Sequence, residues 1–191
     1  MSNDIKQIFI PPLTLQSTKP TKTTGQSDVP KKRLITNSKR WDFQRDDHTS
    51  EYQLGLLTEL RMHMRDPQYT AATILPPRVI IVKQQIHSKW YGYRAQDFEK
   101  KLFRVDEFLS ESDIVDLLID SRLLCFYCGK EVQMLYETVR DLGQWSIERI
   151  DNTHGHNRGN VVIACLGCNL RRKTMYFERF RMTKQMTIVK F

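Results

Sequence analysis

The 191-residue sequence contains no long apolar run, and this absence excludes a transmembrane helix, which needs roughly 18 consecutive apolar residues. The first residues, MSNDIKQIFIPPL, also lack the basic start and the long apolar stretch of a secretory signal peptide. We therefore expect an intracellular protein that does not associate with membranes.

Cysteine is scarce as well, with four residues in the whole chain. In a reducing compartment such a small number favours metal ligation over disulfides. The four form two C-x-x-C pairs separated by residues 129–164, and this arrangement is a strong zinc signature. Four thiolates complete a tetrahedron and leave no open position, so the zinc would be structural. The predicted ligands are Cys125, Cys128, Cys165 and Cys168. The alternative is two redox or free-thiol pairs, although nothing nearby suggests a thioredoxin-like βαβ unit.

Acidic residues are fewer than basic ones, 22 against 30, which gives a net charge of +8 and a pI of about 9.4. The basic surplus lies at the two ends of the chain. Residues 145–191 carry nine Lys or Arg against three Asp or Glu, and residues 1–47 carry nine against five. This balance favours an acidic partner, and nucleic acid is the most direct candidate.

The first half of the chain divides by composition. Within residues 1–47, the stretch TKPTKTTGQSDVPKKRL is rich in Thr and Lys, with Pro, Gly and Ser between them, and we predict a disordered basic tail over residues 1–47. Residues 48–109 are predicted to form a helical or mixed extension, because the leucines of 52–65 recur at helical spacing. The β-branched run at 79–82 could begin a strand, yet the Lys-Gln-Gln that follows also fits a helix.

Cations and aromatic residues alternate in QQIHSKWYGYRAQDFEKK, residues 84–101. Lys89 and Arg94 could pair with phosphates while the neighbouring rings stack on bases. In the alternative reading, the rings of this segment complete a hydrophobic core.

Residues 110–191 are predicted to form a compact zinc module. Ser110 and Asp113 are typical of a capping box that begins a helix over 111–121. WSIERI and VVIA are typical of strands on either side of the polar loop DNTHGHNRGN, and a basic helix follows the second cysteine pair. The predicted fold is therefore α+β: a zinc-stapled ββα unit, or treble clef. On such a helix Arg171, Arg172 and Lys173 would face a phosphate backbone, unless the helix is simply solvated.

CFYCG and SIERIDNTHGHNRGNVVIACLGCN, with the basic residues after them, resemble an HNH endonuclease domain of the ββα-metal type. The closest form is that of phages and large DNA viruses, and the resemblance covers residues 110–175. It implies hydrolysis of DNA with a catalytic Mg²⁺ or Mn²⁺ beside the structural Zn²⁺. It also implies a location in the host cytoplasm or nucleus, or in a virion, if the source is viral.

The resemblance assigns roles to four residues. In the family, an acidic residue or a histidine on the first strand binds the catalytic cation, and Glu148 matches that position. The next residue is a histidine that acts as general base, and here Arg149 stands in its place. Asn160 matches the loop asparagine that orients the site. Asn169 matches the second metal ligand at the start of the helix.

Arg149 departs from the family pattern at the base position, because a guanidinium with a pKa above about 12 cannot take a proton from water. His154 or His156, on either side of Gly155, could supply the missing base. Alternatively, Asp151 could join the metal site, or the domain could have lost cleavage.

Two main functions follow from these observations. The first is an HNH-like metal-dependent endonuclease that cuts DNA. The second is a non-catalytic, zinc-dependent nucleic-acid-binding protein, such as a transcription or packaging factor. A zinc-stapled protein-interaction module is a third reading, in which the basic ends play no part.

Overall fold

A computed structural model describes residues 43–72 and 74–186. Within those ranges the chain forms six helices and a two-stranded sheet, which confirms the predicted α+β class. In chain order the elements are a 3-10 turn at Arg45–His48, then α1 (Ser50–Arg65), α2 (Pro67–Ala72), α3 (Pro77–Glu99), α4 (Glu111–Asp120), β1 (Trp145–Arg149), β2 (Val161–Cys165), α5 (Leu166–Arg172) and α6 (Phe177–Gln185). None of these helices is both long enough and apolar enough to cross a bilayer.

Residues 1–42 of the predicted disordered tail lie outside the described residues. For residues 43–47 the structure instead describes an ordered segment, in which Phe43 and Asp47 are buried. Phe43 is 8% exposed and belongs to the hydrophobic core. The carboxylate of Asp47 pairs with Arg78 on α3 at 2.7 Å.

Helix α3 includes the β-branched run that could have begun a strand. Pro77 occupies its first turn, where a proline is tolerated because no N–H partner is needed. Val79, Val82 and Ile86 are buried at helical spacing and face the core. With 23 residues, α3 is about 34 Å long.

Helix α4 begins with the predicted capping box. The Ser110 hydroxyl accepts from the backbone N–H of Asp113 at 3.1 Å, and the Asp113 carboxylate accepts from the N–H of Ser110 at 2.8 Å. Two backbone donors that the first turn leaves open are thereby satisfied.

The two strands form the antiparallel hairpin of the predicted ββα unit. Trp145 pairs with Cys165 and Glu148 pairs with Val162. Both faces of β1 are covered, since Trp145, Ser146, Ile147 and Glu148 are all buried.

The basic segment after the second cysteine pair was predicted to be one helix, but it is two. Lys173, at φ 51° and ψ −113°, ends α5, and α6 begins at Phe177. A single hydrophobic cluster joins the helices to the hairpin and includes Leu57, Val82, Leu118 and Trp145.

Candidate metal centre and adjoining cleft

The four cysteines meet at the base of the ββα unit. Their sulfur atoms all lie within 4.8 Å of one another. Gly129 follows the first pair at φ +65°, and its N–H donates to the carbonyl of Cys125 at 2.9 Å. This left-handed conformation suits glycine and turns the chain back around the sulfurs. In the second pair, the Sγ of Cys165 caps α5 and accepts from the N–H of Cys168 at 3.4 Å.

The spacing of the sulfurs is compatible with one shared ion. Zn–S bonds of about 2.3 Å in a tetrahedron imply sulfur–sulfur distances of about 3.8 Å, and the four sulfurs lie within 4.8 Å of one another. Cys125 and Cys168 are buried, at 2% and 4% exposure, whereas Cys128 and Cys165 are partly exposed. The described chain thus carries a four-cysteine group that could hold a structural metal ion such as zinc.

A cleft of about 640 Å³ opens between α3 and the ββα unit. Six of the predicted site residues line it: Lys89, Glu148, Arg149, His156, Asn169 and Lys173. Arg94, His154, Asn160, Arg171 and Arg172 are not among its lining residues. Helix α3 also contributes Tyr93, the residue directly after it contributes Lys100, and the β1–β2 loop contributes Asn152.

Glu148 lies at the floor of this cleft and is 5% exposed. Its Oε1 accepts a hydrogen bond from the guanidinium of Arg172. Burial raises the pKa of Glu148 above its ordinary value, and the neighbouring Arg172 opposes that rise. No hydrogen bond from the described residues reaches Oε2, which leaves one carboxylate oxygen for a ligand in the cleft.

Arg172 was predicted to face a phosphate backbone, but its side chain is buried, at 2% exposure. Besides pairing with Glu148, its guanidinium donates to the carbonyl oxygens of Arg149 and Ile150, each at 2.7 Å. It therefore ties α5 to the end of β1, and it is not a phosphate contact. Arg171, one position earlier, is exposed, and so is Lys173.

Asn169 is half-buried on α5, and its side-chain nitrogen contacts β1. This nitrogen lies 3.3 Å from the carbonyl of Ile147 and 3.2 Å from the hydroxyl of Ser146. A carbonyl can only accept, so the –NH₂ group must face β1. The amide oxygen Oδ1 is the atom that remains for a ligand in the cleft.

His156 is 4% exposed and is held by a buried carboxylate from α3. Its Nδ1 lies 2.9 Å from Oδ1 of Asp97, and its backbone N–H donates to Oδ2 of Asp97 at 2.6 Å. The ring of Tyr93 lies 4.5 Å from the imidazole, measured between centroids. Burial lowers the pKa of His156 below its ordinary value, while Asp97 acts in the opposite direction.

His154 and Asp151 lie on the outer side of the loop. The Nδ1 of His154 contacts Oδ2 of Asp151 at 3.2 Å, and the His154 side chain is 58% exposed. Neither residue lines the cleft. Asn160 holds the loop itself, because its amide group donates to the carbonyls of Asp151 and Gly155 and accepts from the N–H of Asp151 at 2.9 Å.

Lys89 and Arg94 contact rings of the protein. The ammonium of Lys89 donates to the carbonyl of Trp145 and lies 4.4 Å from the centroid of that ring. Burial lowers the pKa of Lys89 to about 7, so this residue carries a full charge only below neutral pH. Arg94 lies over the rings of Trp90, Phe98 and Phe103 at 5.2 to 5.9 Å. Of the rings in this segment, Trp90 and Tyr93 pack against the hydrophobic core, whereas Tyr91 and Phe98 are exposed, at 60% and 53%.

Besides the buried Lys89, three Lys or Arg side chains line the cleft: Lys100, Arg149 and Lys173. None of them forms a salt bridge within the part of the chain that the structure describes. Lys100 was among the cations of the 84–101 segment but was not chosen as a site residue, and sequence reasoning missed Asp97. The available signal was the spacing of Lys89, Tyr93 and Asp97, which places all three on one face once the segment is a helix.

Fold and site together define a class: a mixed α+β protein with a four-cysteine group that could bind a metal such as zinc, beside a cleft with cationic edges. Comparison with known proteins finds no family model, no curated protein and no solved structure that matches the chain. The likeness to HNH endonucleases therefore rests on the sequence motifs and not on a matched relative.

Proposed function

We propose that this protein is an HNH-like, metal-dependent endonuclease that hydrolyses phosphodiester bonds in DNA. The observation that carries the proposal is the convergence of Glu148, Asn169 and His156 on one cleft. Glu148 comes from β1, Asn169 from α5 and His156 from the loop between β1 and β2. A carboxylate, an amide oxygen and an imidazole are the groups that hydrolysis of a phosphodiester needs.

The donor atoms suit a hard divalent cation. Oε2 of Glu148 and Oδ1 of Asn169 are oxygen ligands without hydrogen-bond partners among the described residues. Mg²⁺ and Mn²⁺ prefer such ligands and keep several waters besides. A cation bound there would supply charge stabilisation at the scissile phosphate.

The cleft edges suit the rest of the substrate. Lys100, Arg149 and Lys173 place positive charge on both sides of the opening. Lys and Arg at such positions contact phosphates and release bound counterions, so binding should weaken steeply with salt. Once it binds zinc, the four-cysteine group would hold the hairpin against α5. The Glu148 carboxylate on β1 and the Asn169 amide on α5 would thereby be held in place.

The test is nicking of supercoiled plasmid by the full-length protein in Mg²⁺ and in Mn²⁺. Glu148→Gln keeps the shape of the side chain and a hydrogen-bond acceptor for Arg172, but it removes the charge that a cation needs. We expect a loss of about 100-fold or more in the cleavage rate. The control is Glu137→Gln, an exposed carboxylate outside the cleft. A wild-type protein that cuts no DNA with either metal would refute the proposal, as would full activity of Glu148→Gln.

A second candidate function is favoured by one specific observation, the ion pair between Glu148 and Arg172. Arg172 already neutralises the carboxylate, and Arg149 occupies the usual base position, so the site could bind nucleic acid without cutting it. A transcription or packaging factor of this kind would show salt-sensitive binding with no cleavage. Reversing the charge of Arg171 and Lys173 should then reduce binding, measured by fluorescence anisotropy.

A further inference from the structure

The contact between Asp97 and His156 joins residues 59 positions apart in the chain. Asp97 is fully buried, at 0% exposure, and both of its carboxylate oxygens face His156. A carboxylate accepts hydrogen bonds, so Nδ1 of the imidazole carries the hydrogen in this contact. The other ring nitrogen, Nε2, then holds a lone pair. It has no hydrogen-bond partner among the described residues.

The backbone of the β1–β2 loop packs closely against Asp97 at Gly155. A Cβ at Gly155 would lie 2.7 Å from Oδ2 of Asp97 and 2.7 Å from the carbonyl of Leu102. No side chain larger than hydrogen fits there without movement of the loop or of α3. The ring of Tyr93 covers one face of the imidazole, and the Tyr93 hydroxyl accepts from the N–H of Ile147 on β1 at 2.9 Å. The imidazole is therefore held by two residues of α3, one of which is bonded to β1.

We propose that His156 is the general base of the cleavage reaction and that Asp97 is its positioning residue, so that this dyad replaces the histidine absent at Arg149. The inference rests on the proposed endonuclease function and names the residues that move the proton. It also chooses between the two loop histidines, since His154 points to solvent and lies outside the cleft.

The step balances with water as the nucleophile. The water oxygen forms a bond to phosphorus, and the bond between phosphorus and the leaving sugar oxygen breaks. The water proton passes to Nε2 of His156, and the resulting imidazolium is stabilised by the carboxylate of Asp97. The electron pair of the broken bond stays on the leaving oxygen, which takes up a proton from solvent.

The charged groups around the ring set the pH dependence. Burial disfavours the protonated ring, as do Arg149 from β1 and Lys100 directly after α3, while Asp97 favours it. Tyr93 is buried beside the ring, and burial raises the pKa of its hydroxyl, so Tyr93 stays neutral. Cleavage requires the neutral imidazole, so activity should fall as the pH drops through the lowered pKa of His156, below the ordinary value of 6.5.

The experiment measures single-turnover nicking rates of the full-length protein from pH 5 to 9. For wild type we expect an acid limb with a midpoint below pH 6.5. His156→Gln should lose about 10²- to 10⁴-fold in rate, the usual contribution of a general base. Asp97→Asn should lose at least about tenfold and move the acid limb to lower pH, because the group that favours protonation is gone. His87→Gln, an exposed histidine outside the cleft, is the matched control.

A purely structural role for Asp97 would lower the rate without moving the acid limb, and that result would overturn the inference. Rates of His156→Gln within threefold of wild type would also overturn it, as would loss of activity in His154→Gln instead. If both dyad variants fail to fold, the wild-type profile decides, since an acid limb above pH 6.5 contradicts the assignment. Wild-type cleavage that Glu148→Gln abolishes and His156→Gln retains would refute the dyad and leave the endonuclease standing.

Discussion

Replacing Arg172 by alanine tests the buried contact between α5 and β1. Arg172 is 2% exposed, and its guanidinium bonds the Glu148 carboxylate and two carbonyl oxygens at 2.7 Å. The substitution leaves the carboxylate of Glu148 buried without its cationic partner. Removing one member of a buried ion pair costs about 3–5 kcal/mol, because the remaining charge is uncompensated.

That cost is large against a total stability of about 5–15 kcal/mol. In a domain of this size each kcal/mol lowers the melting temperature by about 2–4 °C, so we expect a decrease of roughly 6–20 °C. Arg171→Ala is the control within the same helix, since Arg171 is exposed. An exposed substitution of this kind changes stability by about 0.5 kcal/mol at most. The free energy of unfolding of both variants is measured by urea denaturation, with circular dichroism as the signal.

The pH dependence gives a second check on the same substitution. Burial already raises the pKa of Glu148 above its ordinary value, and without Arg172 it should rise further. A carboxyl with a raised pKa in the folded state stabilises the fold below its ordinary pKa and loses that contribution as the pH rises. Arg172→Ala should therefore be less destabilised at pH 5 than at pH 8. A loss under 1 kcal/mol at pH 8, or equal effects of Arg171→Ala and Arg172→Ala, would refute the reasoning.

Three further predictions concern the metal centre, the loop and the cleft edge. Protein purified under reducing conditions should contain one zinc ion per chain by elemental analysis, and Cys168→Ser should lose the ion and much of the stability with it. Gly155→Ala should cost about 1–3 kcal/mol in urea unfolding, because its Cβ would meet Asp97 and Leu102 at 2.7 Å. Gly55→Ala, in an open position of α1, should instead gain about 0.5–1 kcal/mol. Lys173→Ala should lower the slope of log binding constant against log salt by about one, measured by anisotropy on duplex DNA.

Local patterns in the sequence determined the elements of the zinc module. The C-x-x-C spacing predicts a shared metal centre, and the structure brings the four sulfurs within 4.8 Å of one another. Ser110 and Asp113 predict the start of α4 because a capping box is made by residues three positions apart. The hairpin and the helix after it were predictable for the same reason, since each depends on neighbours in the chain.

Tertiary packing decided which polar residues face the cleft. Arg171 and Arg172 are adjacent and chemically identical, yet one is exposed and the other is buried against Glu148. The orientation in which α5 packs on β1 decides which of these two arginines is buried. Asp97 reaches His156 across 59 positions, and no periodicity within either segment reports such a contact. Spacing along the chain thus predicts contacts between residues that are close in sequence. The partners of a buried charge depend on which surfaces meet when the helices pack on the hairpin.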